Sequence, residues 1–288
     1  MSGESIPPRD LGVAIERTTI LPVSGWSLPD LRELWRYRDL LFLLTSRNIA
    51  IIYRQSILGI GWAVFRPLVT TIIFAIVFGR FAGFADKSLS VPYPIFVYAA
   101  LVIWNLFATS LSNASESVVA QANLLTKTYF PRLLLPVSAV GVATVDFAVQ
   151  FLLLFGLMWY YGVAPTVLLL VMPIFFLATT IAALSLGVWL TALNVRFRDV
   201  KHVVPFLIQT LFYLTPVIYP VSFVPERLRW LLCLNPMFSI VEAFRWSMLA
   251  TPPPDWSLFV VSSLITCVVL VGGLIFFRRT ESTFADII

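Results

Sequence analysis

Long apolar runs separated by short charged segments set the plan of this chain. The controlling stretch runs from Asp39 to Phe81. Its first half, DLLFLLTSRNIAIIYRQSILGIG, interrupts its apolar clusters with Arg47 and Arg54. An arginine at the bilayer centre costs roughly 3 kcal/mol on insertion scales. This half is therefore expected to lie along the membrane surface, its apolar side against the acyl boundary. The second half, WAVFRPLVTTIIFAIVFGRF, supplies the about 20 apolar residues a spanning helix needs, with Gly59-x-Gly61 as a joint between the two. Upstream, Ser27 and Asp30 have the spacing of a capping box, and Leu31, Leu34 and Trp35 fall on one side of a helix opening near Leu28. The pattern predicts a mobile, proline-punctuated cytoplasmic segment over 1–27, an amphipathic interfacial helix over 28–60 and a membrane domain over 61–288.

Six spans are predicted, over 62–81, 93–113, 134–160, 166–193, 203–220 and 256–277. Between the last two lies YPVSFVPERLRWLLCLNPMFSIVEAFRWSMLATPPPDW, apolar but interrupted by Pro225, Asn235 and Pro236 and carrying Glu226, Arg227, Arg229, Glu242 and Arg245. Neither half is long enough to cross. Two short re-entrant or interfacial helices, over 226–234 and 237–250, fit better. Trp230, Trp246 and Trp256 suit an interfacial level. The expected fold is an all-α integral membrane protein: six transmembrane helices, an N-terminal interfacial helix and two short re-entrant helices between spans five and six.

Composition agrees. The chain is 59% hydrophobic and 12% charged, about half the charged fraction of a soluble domain. Its net charge of +5 is spread along segments flanking the apolar runs, which is not the clustered footprint of a nucleic-acid partner. Of the 20 Lys and Arg, only Arg80, Lys87, Arg227, Arg229 and Arg245 fall on one side of the layout. The other side is thereby cytoplasmic, both termini included. MSGESIPPRDLGVAIERTTI has no apolar core, so no cleaved signal peptide is expected. Cys233 and Cys267 read as inert buried thiols rather than a disulfide.

Acid–base or metal chemistry needs clustered side chains, and the sequence offers a single histidine, His202, beside Lys201 and Asp199. It contains no G-x-x-x-x-G-K-[ST] phosphate loop. The expectation is a chain that is not an enzyme and has no cofactor of its own; if transport through it is ATP-driven, ATP and Mg²⁺ are bound by a separate ATPase chain. Asp146 is the one acidic residue deep in a span. Such a residue is a functional candidate, although packing against Gln150 or a neighbouring span accounts for it better. Arg66, one turn into the first span, either snorkels to headgroups or meets an anionic headgroup of the cargo. Tyr93, Tyr98, Trp104, Phe107, Tyr213 and Tyr219 could together line a path, since aromatic faces stack without demanding one sequence. The segment SESVVAQANLLTKTYFPR has room for a short helix that could dock in a groove of a motor domain.

YRQSILGIGWAVFRPLVTTIIFAIVFGRF resembles the opening signature of the membrane subunits of polysaccharide-exporting ABC transporters, the O-antigen, capsule and teichoic-acid permeases of the Wzm kind. PYPIFVYAALVIWNLFATSLSNASESVV, ANLLTKTYFPRLLLPVSAV, LNVRFRDVKHVVPFLIQTLFYLTPVIYPVSFVP, LNPMFSIVEAFRW and FRRTESTFADII are similar to the family too, in its order and spacing, over roughly residues 38–288. The resemblance implies a homodimer of six-span subunits over two copies of an ATPase, in the bacterial inner membrane. It further implies export of an undecaprenyl-pyrophosphate-linked glycan or a similar polymer. It implies a motor-docking helix whose contacts include Ser115, Glu116, Val119, Ala120, Gln121 and Asn123, and gate helices over 226–250. Arg66 stands where the family more usually has Gln, a departure that bears on cargo recognition. An ATP-independent secondary carrier is the alternative, and would show repeats, broken spans and several buried ionisable groups.

Overall fold

The computed structural model describes residues 31–54, 59–84, 89–125, 130–197 and 199–284. The segment over 1–27 and the Ser27–Asp30 cap lie outside the described residues. The expected interfacial helix is two helices, α1 (Leu31–Arg36) and α2 (Arg38–Arg54), broken at Tyr37. Gly59, at φ 48°, supplies the left-handed turn that Cβ-bearing residues resist, and the chain then enters α3 (Gly61–Phe74). A π-helical stretch, Ala75–Phe81, completes that span.

The next span, α4 (Tyr93–Ala120), is one unbroken helix of 28 residues, ended by Gln121 and followed by the short α5 (Ala122–Leu125). Here the structure departs from the 93–113 estimate and from a separate short helix in the following segment. Ser112, Asn113, Ser115, Glu116 and Ser117 lower hydropathy without breaking a helix, because none is Pro or Gly. α6 (Leu134–Tyr160) returns, and a 3₁₀ turn, Val167–Val171, leads into α7 (Met172–Arg196). α8 (Val200–Leu214) has 15 residues. At the chain's other end, α11 (Trp256–Glu281) is capped by Asp255, whose Oδ1 accepts from the backbone N–H groups of Ser257 at 3.0 Å and Leu258 at 3.4 Å.

Among the described residues, five helical segments are long and apolar enough to cross a membrane: Gly61–Phe81, Tyr93–Ala120, Leu134–Tyr160, Val167–Arg196 and Trp256–Glu281. The sixth, expected over 203–220, folds as α8 plus a non-helical tail. Pro216 biases the preceding residue out of the helical region, and Thr215 is extended at φ −94°, ψ 138°. α9 (Glu226–Leu232) and α10 (Pro236–Leu249) follow, parted at Asn235. Asn235 caps α10 by accepting from the Met237 N–H at 3.1 Å. Cys233 and Cys267 are free, but only Cys233 is buried.

α4 is the central post, buried along most of its length, whereas each of the other long segments buries a third or less. Small residues let α7 approach it: a Cβ on Gly187 would lie 3.0 Å from that of Ala114. Polar bonds reinforce the contact, with the Thr191 hydroxyl donating to the Ala114 carbonyl at 2.7 Å and the Asn194 amide to that of Ser115 at 3.0 Å. On the other side, Tyr98 donates to the Gln150 carbonyl at 3.1 Å and Asn105 to the Gln150 side chain at 2.9 Å, joining α4 to α6. Among the described residues, two large apolar cores result, beside a small cluster of Cys233, Phe238 and Leu258. The larger surrounds α4 from Tyr93 to Leu111, and the smaller gathers where α4, α7 and α11 end and α6 begins.

Candidate functional site

Three features could act: the platform built on the smaller core, the unwound segment after α8, and the outward faces of α3 and α8.

The platform joins Leu44 of α2, Val118 of α4, Leu125 of α5, Leu134 of α6, Val195 of α7 and Phe277 of α11 in one cluster. Its outer tip is the end of α4. Glu116, Val119, Ala120 and Asn123 point outward, as helical spacing dictates, while Ser115 is buried and Gln121 half-buried. The Ser115 hydroxyl donates to the Ser112 carbonyl at 2.7 Å, and the Gln121 amide reaches Asn48 of α2 at 3.5 Å. The six expected docking residues therefore divide into four on the surface and two that fasten the tip from within.

α2 is held from its other side too. It crosses α6 so closely that a Cβ on Gly141 would sit 2.2 Å from the Thr45 methyl. Near its end, Tyr53 donates a hydrogen bond to Asp146. Burial, and then the bond to this carboxylate, hold the Tyr53 phenol above its ordinary pKa. Asp146 is thus satisfied by α2 and not by Gln150, whose side chain is taken by Asn105. Arg66 is exposed and lies over the Trp62 ring at 5.5 Å. Between α6 and α11, the Arg132 backbone N–H donates to the Glu281 carboxylate at 3.1 Å, and its guanidinium donates to the Glu281 carbonyl.

The unwound segment after α8 is organised by a residue that sequence reasoning counted only as a charge. Arg245 is 3% exposed. Its Nε donates to the Phe96 carbonyl at 3.0 Å, Nη1 to Pro216 at 2.6 Å and Nη2 to Val217 at 2.5 Å, with the guanidinium 3.6 Å from the Phe96 ring centre. Tyr93 donates to the next carbonyl, Ile218, at 2.7 Å. Asn235 donates to the Thr215 hydroxyl at 2.8 Å. Helix breakage at Pro216 frees carbonyls that an apolar setting cannot hydrate, and these side chains replace the water. A signal existed: Arg245 continues the buried row Met237, Val241 at four-residue spacing, which turns it inward.

On α8, Phe206, Gln209, Thr210 and Tyr213 form an exposed strip. Tyr213 is 60% exposed; Tyr219 is half-buried, its hydroxyl donating to the Tyr213 carbonyl at 3.1 Å. The structure does not bring the expected lining residues to one surface. Tyr98, Trp104 and Phe107 are buried in the larger core, with Trp104 meeting Phe212 at 5.3 Å behind the strip. α3 is a neighbour of α8 through Phe74 and Phe212, 6.1 Å apart, and it also leaves Phe65, Ile72 and Ile73 outward. Among the described residues, no three His, Cys, Asp or Glu gather as a metal set.

A family model described as the ABC-2 type transporter matches residues 39–249, from the second residue of α2 to the end of α10. The chain belongs to the ABC-2 type transporter family. ABC-2 relatives include the O-antigen export system permease protein RfbA of Myxococcus xanthus, 30% identical over 258 residues, 88% of this chain and 97% of that protein. A protein of the same description from Klebsiella pneumoniae is 27% identical over 261 residues, 87% of this chain and 95% of its own. The polysialic acid transport protein KpsM of Escherichia coli is 22% identical over 243 residues, 83% of this chain and 92% of its own. This is a multi-pass membrane transport subunit, and the ABC-2 match encloses both the platform tip and the Arg245 anchorage.

Proposed function

We propose that this chain is the permease half of an ATP-driven exporter that carries a lipid-linked, O-antigen-like polysaccharide out of the cytoplasm across the bacterial inner membrane. Two copies would form the conduit, with two copies of a separate ATPase beneath them and both termini on the ATPase side. The observation that carries this reading is the ABC-2 match together with relatives of similar length whose names specify O-antigen and polysialic acid transport.

The platform suits the task. ATP-driven closure of the motor would press on Glu116, Val119, Ala120 and Asn123. The buried packing beneath would spread that push to α2, α7 and α11 together. Gln209 and Thr210 break the apolar face of α8, and polar side chains in a spanning region face water or another chain rather than lipid. The α3–α8 side is accordingly read as the one a second copy faces, with Tyr213 and Tyr219 offering polymer many weak contacts and no single tight site. Tyr98, Trp104 and Phe107 would support that wall from behind. Arg66, exposed at the α2–α3 junction, would meet the cargo's pyrophosphate as it arrives.

Copurification with an ATPase, followed by reconstituted export, tests this. Ala120→Glu should leave the permease folded and abolish ATP-dependent export. Normal export by that variant, or export by the chain alone, would overturn the proposal.

A further inference from the structure

We propose that the cavity between the ends of α7 and α11 is a binding site for an anionic phospholipid of the cytoplasmic leaflet, its phosphate on Arg196 and an acyl chain inside. The cavity has a volume of about 280 Å³ and is lined by Leu193, Val195, Phe197, Phe276 and Phe284, with Arg196, Thr280 and Thr283 as its polar members. The hydroxyls donate within their own chain segment, Thr280 to the Phe276 carbonyl at 2.9 Å and Thr283 to that of Thr280 at 2.8 Å. They therefore present mainly carbon to the cavity.

Arg196 is the cation of this site. It is exposed, it stacks on the Phe197 ring at 5.5 Å, and among the described residues no carboxylate lies within ion-pair distance of it. No Asp or Glu lines the cavity, and Glu281, nearby in sequence, is engaged by Arg132. An apolar chamber with one cation at its mouth complements a ligand that is anionic at one end and hydrocarbon at the other. A free phosphate would leave the chamber empty. Farther along, the same two helices expose apolar residues, Ile174 and Leu177 on α7 and Leu264 and Val268 on α11, the surface that lipid bathes in a spanning bundle. Basic pockets between spans on the cytoplasmic side recognise anionic lipids in this way.

The test is native mass spectrometry of the full chain in detergent, titrated with phosphatidylglycerol or phosphatidylcholine. The unmodified protein should bind phosphatidylglycerol the more tightly. Arg196→Gln should weaken that binding about fivefold, the factor equivalent to about 1 kcal/mol per basic residue near a membrane surface, and Arg196→Lys should keep the preference. Thr283→Trp, filling the chamber, should weaken both lipids. Equal affinity for the two lipids, or no loss in Arg196→Gln, would overturn the proposal. So would competition by inorganic phosphate alone. Removing residues 285–288 discriminates a last alternative: higher lipid affinity would make the chain's own tail the occupant and sink the proposal, and unchanged affinity supports it.

Discussion

Replacing Arg245 by Met keeps the volume and removes the charge, which isolates the work of the guanidinium. Three carbonyls, those of Phe96, Pro216 and Val217, lose their donors at once. Each unsatisfied buried group costs about 1–3 kcal/mol. The variant also loses the cation over the Phe96 ring, worth about 2 kcal/mol when desolvated. Against this, the native state no longer buries the guanidinium charge, a relief of several kcal/mol that is reduced because Glu242, one turn earlier on α10, loses the cation acting on it. The balance is a destabilisation of about 3–5 kcal/mol, the usual result of removing one side of a buried ionic contact. At roughly 2–4 °C per kcal/mol for a chain of this size, the apparent melting point should fall by about 10 °C. The damage should be local. Amide exchange should accelerate at Val217 and Ile218 and leave the α4–α7 contact protected. Arg245→Lys, which lacks the planar fork, should recover only part of the loss. A melting point within about 2 °C of the parent, with unchanged exchange at Val217, would refute this account of the anchorage.

Two further outcomes concern α2. Gly141→Val places new atoms where the Thr45 methyl already lies, 2.2 Å from a built Cβ; overpacking should cost about 1–3 kcal/mol, read as a lower melting point, and Thr45→Ala should restore much of it. Tyr53→Phe removes the donor to Asp146. A double-mutant cycle with Asp146→Asn should give a coupling of about 1 kcal/mol, typical of polar pairs between membrane helices, and additive effects would remove Asp146 from any role in holding α2.

Five of the six expected spans were legible because long apolar runs have few alternatives, whereas the run over 203–220 folds as a helix of only 15 residues. α9 and α10 were legible for the same reason in reverse: Pro225 and Asn235-Pro236 punctuate runs too short to cross. The extent of α4 was not, since serines and a glutamate lower hydropathy without ending a helix. Nor was the partner of Asp146, because Tyr53 is 93 residues away and the nearer Gln150 looked sufficient. The aromatic set shows the limit of composition as a guide. Tyr98 and Tyr213 are the same residue type in similar apolar surroundings, yet packing seals one and exposes the other. Only Arg245 left a clue that periodicity could have exposed.

The continuity of α4 has a mechanical corollary. The carbonyl of Phe96, in the guanidinium's grip, and the exposed Ala120 are carried by the same rigid rod, about 36 Å apart at 1.5 Å per residue. No proline or glycine interrupts the rod between them to absorb a rotation. A twist applied at one extremity must therefore arrive at the other within the same stroke, like torque along a driveshaft, so the two ends cannot rearrange independently.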